Sequence, residues 1–202
     1  MATSIEAAAC GPWPDRLRLP LAFDPLRLAA DLDALEDREW TRHFVRDNYE
    51  GDWSVLPLRA PAGETHPIRM ISAPADGTPF VDTPLLAATP YLAEILAGFS
   101  CPLGSARLMR LAPGSTIREH RDLDLSAEDG HARLHIPIRT SAEVDFRVAR
   151  RRVAMTPGSC WYLRLSEPHS VRNGGTAARV HLVVDAQVNA WLAGLLDAGA
   201  EA

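Results

Sequence analysis

The sequence predicts a mainly β protein with flanking helices, built as a sandwich or closed barrel. After Cys101 the chain divides into short apolar segments separated by turn residues. Pro113-Gly114, Pro157-Gly158 and Gly174-Gly175 are the clearest turns, and short strands at such close spacing are typical of sandwiches and barrels. The predicted strands are approximately 105–112, 117–121, 132–140, 143–149, 151–155, 159–165, 169–173 and 178–185.

The chain before this region begins with a predicted lead-in and a helix. Residues 1–20 are rich in Ala and Pro, which predicts a loose segment. Asp24-Pro25 then predicts a helix start, because aspartate caps an N-terminus and proline suits the first turn. Leucines recur at helical spacing after it, so a helix is predicted over about residues 25–39.

Two strands and two more helices complete the predicted elements. The strands are Trp53–Arg59 and Pro67–Ser72, and a helix over about residues 90–98 ends at Gly98. Asn189–Ala198 predicts a closing helix with apolar residues at helical spacing. The predicted organisation is a single domain over 21–202, with a helix and strand part at 21–100, a β core at 101–185 and a C-terminal helix in 186–198.

Composition indicates a globular protein and excludes some partners. The chain has 202 residues, 47% of them hydrophobic, and a net charge of −5, which argues against bulk binding to nucleic acid or to an acidic membrane. No apolar run approaches the roughly 20 residues of a membrane span, and residues 1–14 lack the features of a signal peptide. The three cysteines (Cys10, Cys101 and Cys160) lack C-x-x-C spacing, so we expect reduced thiols in the cytoplasm.

A possible metal site lies within the β region. His120-Arg121-Asp122 is an H-x-D pattern, and residues two apart in an extended segment point to the same face. His169 follows Pro168 after another strand-like run. Two neutral imidazoles and one carboxylate form the facial triad of non-haem Fe(II) oxygenases, which leaves positions open for cosubstrate and oxygen. Asp124 and Asp129 are rival carboxylates.

Arg179 leads the apolar run Val180–Val184. If its side chain faces the inside of a barrel, it requires an anion, and a dicarboxylate cosubstrate would provide one. The alternative is a surface arginine that follows the Gly174-Gly175 turn. His181, two residues later, is expected to be a buried core histidine.

From about Trp40 to Asp185 the chain resembles the aspartyl/asparaginyl β-hydroxylase family, which uses Fe(II), 2-oxoglutarate and O2. The stretches that carry the resemblance are Ile117–Asp122, Ala132–Ile138, Gly158–Leu163, Pro168–Ser170 and Arg179–Asp185. The chain is most similar to the bacterial members with H-R-D, a group that includes free-proline hydroxylases. The resemblance implies a double-stranded β-helix, a cupin-like jelly roll whose mouth holds the metal.

The resemblance also implies the roles of the site residues. Arg179 would pair with the C5 carboxylate of 2-oxoglutarate, which a bidentate guanidinium suits. Arg133 and His135 match an R-x-H that contributes to cosubstrate binding. The implied catalytic iron ligands are His120, Asp122 and His169. The implied reaction hydroxylates a C–H bond of a peptidyl Asp or Asn, of free proline, or of a related amino acid or short peptide.

Other residues are candidates for substrate binding. Trp53 and Arg59 lie in a stretch that resembles the family's region near cosubstrate and substrate. Trp53 is better explained as a core aromatic, and the sequence leaves open whether Arg59 meets a substrate carboxylate. The basic run in Arg147–Arg152 predicts a solvated turn, with docking of an acidic peptide as the alternative.

Two other classes of protein are compatible with part of this pattern. A zinc-dependent hydrolase or isomerase also uses two histidines and one carboxylate, but it has no use for Arg179 and the R-x-H as a cosubstrate clamp. A non-catalytic ligand-binding barrel would have a degenerate site, whereas every expected ligand position is filled here. The sequence therefore favours a hydroxylase that acts on a small amino acid or short peptide.

Overall fold

The computed structural model describes residues 13–74, 77–122 and 125–201. Its strands are β1 (Arg16–Ala22), β2 (Thr41–Arg42), β3 (Tyr49–Glu50), β4 (Trp53–Pro61), β5 (Phe80–Asp82), β6 (Leu103–Leu111), β7 (Thr116–His120), β8 (His131–Arg139), β9 (Val144–Val148), β10 (Arg151–Arg152), β11 (Ser159–Leu163), β12 (His169–Asn173), β13 (Arg179–Gln187) and β14 (Ala200–Glu201). Its α-helices are α1 (Pro25–Asp33), α2 (Pro67–Met70), α3 (Pro84–Ala87), α4 (Pro90–Ala97) and α5 (Ala190–Asp197).

The strands form two antiparallel sheets that the chain visits in alternation. The larger sheet has the order β14-β1-β11-β8-β13-β6-β4-β2, and the smaller has the order β10-β9-β12-β7-β3. From β6 to β13 the chain passes repeatedly from one sheet to the other, and strands distant in sequence pair within each. This strand order is that of a jelly roll, and it confirms the predicted mainly β fold.

The larger sheet separates two apolar clusters. Val180, Leu182 and Val184 of β13 belong to the cluster that also contains the buried side chains of α1, α4 and α5. Val183, between them, belongs to the cluster shared with the smaller sheet. Because side chains alternate along a strand, Arg179 and His181 share the face of Val183. Polar residues therefore lie between the two sheets.

Several predicted element bounds need correction. Arg16–Pro20 were predicted to be part of a loose lead-in, but they lie in β1, which pairs with β11. Pro67–Ser72 were predicted to be a strand, but Pro67–Met70 form a short helix that begins at the proline, and the N–H of Met70 bonds the carbonyl of His66. Proline is favoured in the first turn of a helix. In a strand it has no N–H to donate to the neighbouring strand, so the helix is preferred here.

The helices and the β10 region are shorter than predicted. Asp24 caps α1 as expected, but the helix ends at Asp33 because the next hydrogen bonds, such as Leu35 to Leu32, are to the third residue back. The strand predicted over 151–155 spans Arg151–Arg152, and β13 continues to Gln187 before Asn189 caps α5.

The two cysteines in the described residues are free. Cys160 is buried and Cys101 is half-buried, and burial raises the pKa of their thiols to about 12 and about 11. Cys10 lies outside the described residues. Within the same residues, no helix combines the length and apolarity that crossing a membrane requires.

Candidate active site

The predicted metal ligands come together on the smaller sheet. β7 and β12 are neighbours, and His120 lies directly opposite His169, with their ring centroids 4.2 Å apart. Asp122 follows the end of β7, where its N–H donates to the Leu165 carbonyl at 2.8 Å. One nitrogen of each imidazole and one carboxylate oxygen all lie within 4.8 Å of one another. The three side chains therefore offer ligand atoms to a common point.

The hydrogen bonds of the two histidines determine which nitrogen faces that point. The Nδ1 of His120 is 2.8 Å from the Arg118 carbonyl oxygen, and the Nδ1 of His169 is 3.1 Å from that of Glu167. A carbonyl oxygen only accepts, so each Nδ1 carries a hydrogen and each Nε2 has a free lone pair. Burial, followed by the neighbouring His120, lowers the pKa of His169 to about 4, which keeps it neutral as metal binding requires.

The carboxylate of Asp122 is oriented by Arg133. Its Oδ2 accepts a hydrogen bond from Nη1 of Arg133 at 2.7 Å, while its Oδ1 is 3.7 Å from Nε2 of His120. Asp185 holds the other edge of the same guanidinium, with Nε to Oδ1 at 2.6 Å and Nη2 to Oδ2 at 3.0 Å. Desolvation lowers the pKa of Arg133, but these two carboxylates outweigh it and leave the pKa raised. Arg133 thus links a metal-ligand candidate to a second carboxylate.

A cavity of about 870 Å³ lies between the sheets and reaches the triad. Arg179 lines this cavity and is only 3% exposed, and its Nη2 lies 2.8 Å from Nδ1 of His181. Its carbon Cζ is 5.4 Å from the ring centre of Phe146. Among the described residues, Nε of Arg179 has no hydrogen-bond partner and no carboxylate forms an ion pair with it. Burial lowers the pKa of this guanidinium to about 9.

His135 lies beside Arg179 on the cavity wall and is also unsatisfied. It is 4% exposed, and neither ring nitrogen has a partner in the described part of the chain. Its ring packs edge-on against Phe146 and His181, at centroid distances of 5.6 and 5.7 Å. Burial and then the charge of Arg179 lower the pKa of His135 well below its usual value. A buried guanidinium and a neutral imidazole, both with free polar atoms, thus line one end of the cavity.

Three residues that line the cavity near Arg133 were not among those predicted from the sequence, namely Arg107, Asp185 and His43. Arg107 donates to Asp185 at 2.9 Å and to the Ile71 carbonyl at 3.0 Å. His43 stacks on Trp53 with ring centroids 3.6 Å apart, so Trp53 is both a core aromatic and a lining residue. Strand alternation from Arg179 to Asp185 would have indicated Asp185, whereas nothing near Arg107 or His43 in the sequence distinguished them.

Arg59 is placed differently from the predicted substrate contact. Its guanidinium donates to Asp82 and to the Phe80 carbonyl, both at 2.7 Å, and its Nε donates to the Gly104 carbonyl at 3.2 Å. It is not among the residues that line the cavity. The chain already occupies the donors of this side chain, which favours a structural role for Arg59 over contact with a substrate carboxylate.

The remaining candidates are also engaged or undescribed. Asp129 accepts a hydrogen bond from Ser126 at 2.8 Å within a 3-10 helix, away from the triad. Asp124 lies outside the described residues. Each arginine of the basic run pairs with an acidic side chain of the chain itself, in the pairs Arg147–Asp145, Arg150–Glu119, Arg151–Asp15 and Arg152–Asp145. These pairs favour the solvated-turn interpretation over the docking of an acidic peptide.

The fold and the site together define a class of protein. Two histidines and one aspartate face the interior of a jelly roll, and they share a cavity with an unpaired buried arginine. This donor set suits a metal ion that keeps open coordination positions. The molecule is therefore a jelly-roll protein with a candidate metal centre.

Comparison with known proteins identifies the family. The family model described as Aspartyl/Asparaginyl beta-hydroxylase matches residues 26–188, and the chain belongs to that family. L-proline cis-4-hydroxylase of Rhizobium meliloti (strain 1021) is 29% identical over 171 residues. That alignment covers 84% of this chain and 59% of the relative, so the chain spans less than two thirds of the relative's length.

A solved structure gives independent support for the fold. An oxidoreductase of the 2OG-Fe(II) oxygenase family from Burkholderia pseudomallei matches with a TM-score of 0.52 and 20% identity. The match covers 86% of this chain and 85% of that protein. At this identity the likeness concerns the fold alone, and it agrees with the jelly roll described above.

Proposed function

We propose that this protein is an Fe(II)- and 2-oxoglutarate-dependent dioxygenase that hydroxylates a C–H bond of an amino acid or short peptide. The observation that carries the proposal is a single cavity that joins a His-Asp-His group to a buried arginine without a carboxylate partner among the described residues. Family membership and the proline-hydroxylating relative support it further. A zinc hydrolase or isomerase would need the triad but not the arginine.

The donor chemistry fits Fe(II). Nε2 of His120, Nε2 of His169 and Oδ1 of Asp122 would hold the metal, while the backbone carbonyls and Arg133 keep these side chains in their orientations. When bound, iron with 2-oxoglutarate supplies the oxidising chemistry, in which O2 and 2-oxoglutarate convert a C–H group to C–OH and yield succinate and CO2.

Arg179 and His135 fit the cosubstrate. The guanidinium of Arg179 would pair with the distal carboxylate of 2-oxoglutarate, and the acceptor Nδ1 of His181 holds it in place. His135 offers its unpartnered ring nitrogens to the same ligand. Phe146 packs beside both residues and excludes water, which strengthens these polar contacts. The chain thus binds and orients the cosubstrate, and no acid–base pair is required.

The experiment is an anaerobic titration of the protein with Fe(II) and 2-oxoglutarate, followed by visible absorption. We expect a weak charge-transfer band in the wild-type protein and its loss in Asp122→Asn, with Fe(II) affinity reduced by at least about 100-fold. Arg110→Gln is the matched control, because Arg110 contacts Ser54 and Trp40 and does not line the cavity. Tight zinc binding without any band in the wild type would favour the hydrolase or isomerase instead.

A further inference from the structure

The two carboxylate oxygens of Asp122 have different surroundings. Oδ2 accepts the hydrogen bond from Nη1 of Arg133 at 2.7 Å, whereas Oδ1 lies 3.7 Å from Nε2 of His120. The ligand atoms of His120, Asp122 and His169 converge on one point, and Oδ1 is the oxygen on the side of His120. A carboxylate that binds a metal through one oxygen uses one coordination position, whereas binding through both oxygens uses a second. The contact with Arg133 therefore favours binding through Oδ1 alone and keeps a position open.

Asp185 fixes the orientation of Arg133. Its Oδ1 accepts from Nε of Arg133 at 2.6 Å, and its Oδ2 accepts from Nη2 at 3.0 Å. Such a bidentate pair fixes the plane of the guanidinium as well as its position. With this edge held, the Nη1 end of the group is directed to Asp122. Arg107 donates to Oδ2 of Asp185 at 2.9 Å from another strand, so the carboxylate of Asp185 is itself held in place.

The backbone of β13 brings Asp185 to this position. Asp185 lies directly opposite Arg133 in the pairing of β13 with β8, so the two side chains project from the same face of the sheet. In the pairing with β6 the register shifts between Val184 and Ala186, so Asp185 lies at an irregularity of the strand. Irregularities of this kind often lie beside active sites, where they redirect a side chain. Strand pairing and local backbone geometry therefore both direct the carboxylate of Asp185 to Arg133.

We propose that Asp185 is a positioning residue for the metal centre: it holds Arg133 against Oδ2 of Asp122, so that Oδ1 alone is left for the metal. This inference rests on the function proposed above and concerns how its metal site is kept open. Asp185 acts through Arg133 and is not among the residues whose ligand atoms converge. Without Asp185, Arg133 loses its orientation, and the second oxygen of Asp122 turns to the metal and takes a position that 2-oxoglutarate requires.

The test records the metal coordination of the Asp185→Asn variant. Co(II) is the probe, because it takes the same kinds of ligand as Fe(II) and its visible absorption changes with the number and arrangement of those ligands. Asparagine keeps the size of aspartate but has one acceptor oxygen and no charge, so the bidentate pair with Arg133 is lost. We expect a changed Co(II) spectrum in this variant. In the Fe(II) protein, the Kd for 2-oxoglutarate, measured from the charge-transfer band, should rise by about 10-fold.

The sign of the change in Kd separates the position of Asp185 from its charge. Asp185 lines the cavity, and the loss of its negative charge would by itself favour 2-oxoglutarate, which is an anion, and lower the Kd. A rise in Kd therefore requires the loss of orientation. If Asp185→Asn fails to fold, Asp185→Glu tests the same point. It keeps the charge, but its longer side chain displaces the guanidinium of Arg133, so the Co(II) spectrum should change here too.

Leu192→Ala on α5 is the control for lost stability. Leu192 is fully buried in the apolar cluster on the other side of the larger sheet, so its truncation destabilises the fold without touching the metal site. The Co(II) spectrum and the Kd for 2-oxoglutarate should both match the wild type. Changes like those of Asp185→Asn in this control would show that they follow from lost stability, and would overturn the role of Asp185.

The outcomes separate this inference from the function on which it rests. Absence of the Fe(II)–2-oxoglutarate band in the wild type contradicts the proposed function itself. The Co(II) spectrum needs no cosubstrate, so it tests Asp185 independently of that band. An unchanged Co(II) spectrum in Asp185→Asn overturns the positioning role. Tighter binding of 2-oxoglutarate in this variant indicates an effect of charge alone and also overturns it.

Discussion

The two ends of β13 carry buried charge in contrasting ways. Near its end, Asp185 contacts the guanidinium groups of Arg133 and Arg107, so the chain supplies its own counter-ion. At its start, Arg179 has an imidazole acceptor and an aromatic ring beside it, but no carboxylate in the described residues. A buried cation that the chain neutralises serves the structure of the site. One that the chain leaves without an anion marks a place for an anionic ligand.

The contrast has an energetic basis. Removing one member of a buried ion pair leaves an uncompensated charge, which typically costs about 3–5 kcal/mol. The buried guanidinium of Arg179 already lacks a compensating carboxylate among the described residues. The Phe146 ring and His181 offset only part of the cost of its desolvation. Binding of an anion to Arg179 would therefore stabilise the folded protein beyond what its own contacts provide. The two ends of the strand should therefore respond differently to mutation.

The largest expected effect is on cosubstrate binding at Arg179. Arg179→Gln removes two charge-assisted hydrogen bonds to the distal carboxylate, so the Kd for 2-oxoglutarate should rise by about 1000-fold, or about 4 kcal/mol. The free energy of unfolding without ligand should not fall, because no carboxylate loses a partner and an uncompensated buried charge is removed. Titration calorimetry without oxygen and urea unfolding measure the two quantities.

The opposite pattern at Arg179 would contradict the contrast between the two ends of β13. If Arg179→Gln unfolds the protein while 2-oxoglutarate binding to the remaining folded fraction is normal, the arginine is structural. Arg110→Gln on β6 serves again as the control for binding, since Arg110 does not line the cavity and its replacement should leave the Kd for 2-oxoglutarate unchanged.

The next largest effect is on stability at the other end of β13. Asp185→Asn leaves Arg133 and Arg107 without their shared carboxylate, so the free energy of unfolding should fall by about 3 kcal/mol. Desolvation raises the pKa of Asp185, but the two arginines outweigh it and leave the pKa lowered, so the carboxylate is charged at neutral pH. Urea unfolding of the metal-free protein measures the change. A loss below about 1 kcal/mol would mean that this end is not internally neutralised as the contacts indicate.

The third prediction concerns acid stability at the end that lacks a carboxylate. Burial and then the charge of Arg179 lower the pKa of His181 well below its usual value, and its Nδ1 already accepts from Arg179. The unfolded state therefore takes up a proton below about pH 6.5 that the folded state refuses, so stability falls as the pH falls. His181→Gln should reduce the loss between pH 7 and pH 5 by about 2 kcal/mol.

Unfolding of the metal-free protein by urea at several pH values checks this prediction. Replacement of the exposed His66 by Gln is the matched control and should leave the pH dependence unchanged. An acid-induced loss that is identical in the wild type and in His181→Gln would show that His181 is protonated without penalty.

The smallest expected effect lies outside the cavity, in the hairpin between β9 and β10. Val148 pairs with Arg151, and the two-residue turn places Ala149 and Arg150 at φ of 47° and 64°. Such turns favour Asn-Gly, because other residues are strained at positive φ. The double variant Ala149→Asn/Arg150→Gly should raise the free energy of unfolding by about 1 kcal/mol and leave the Kd for 2-oxoglutarate unchanged. Weaker cosubstrate binding would mean that the hairpin is coupled to the cavity.

Much of the fold was predictable because its signals are local. Turn residues and apolar runs predicted most strands of the β core, and Asp24-Pro25 predicted the start of α1. The errors lie where local and non-local preferences compete. Pro67–Ser72 have strand-like side chains but form a helix and a turn, and Arg16–Pro20 became ordered by pairing with β11. Strand pairing with a distant segment leaves little trace in the segment's own sequence.

The sequence alone was sufficient to identify the metal-ligand candidates, and it favoured a buried Arg179 over a surface one. The H-x-D spacing places two side chains on one face of any extended backbone, and an apolar run buries the strand that it forms. How the buried charges are matched depends instead on the tertiary structure. Arg133 meets Asp185, 52 positions away, through the register of β8 and β13, and Arg107 reaches the same carboxylate from β6. Whether a buried arginine is satisfied depends on every strand around it, because electrostatic pairing is set by distance in space and not by spacing along the chain.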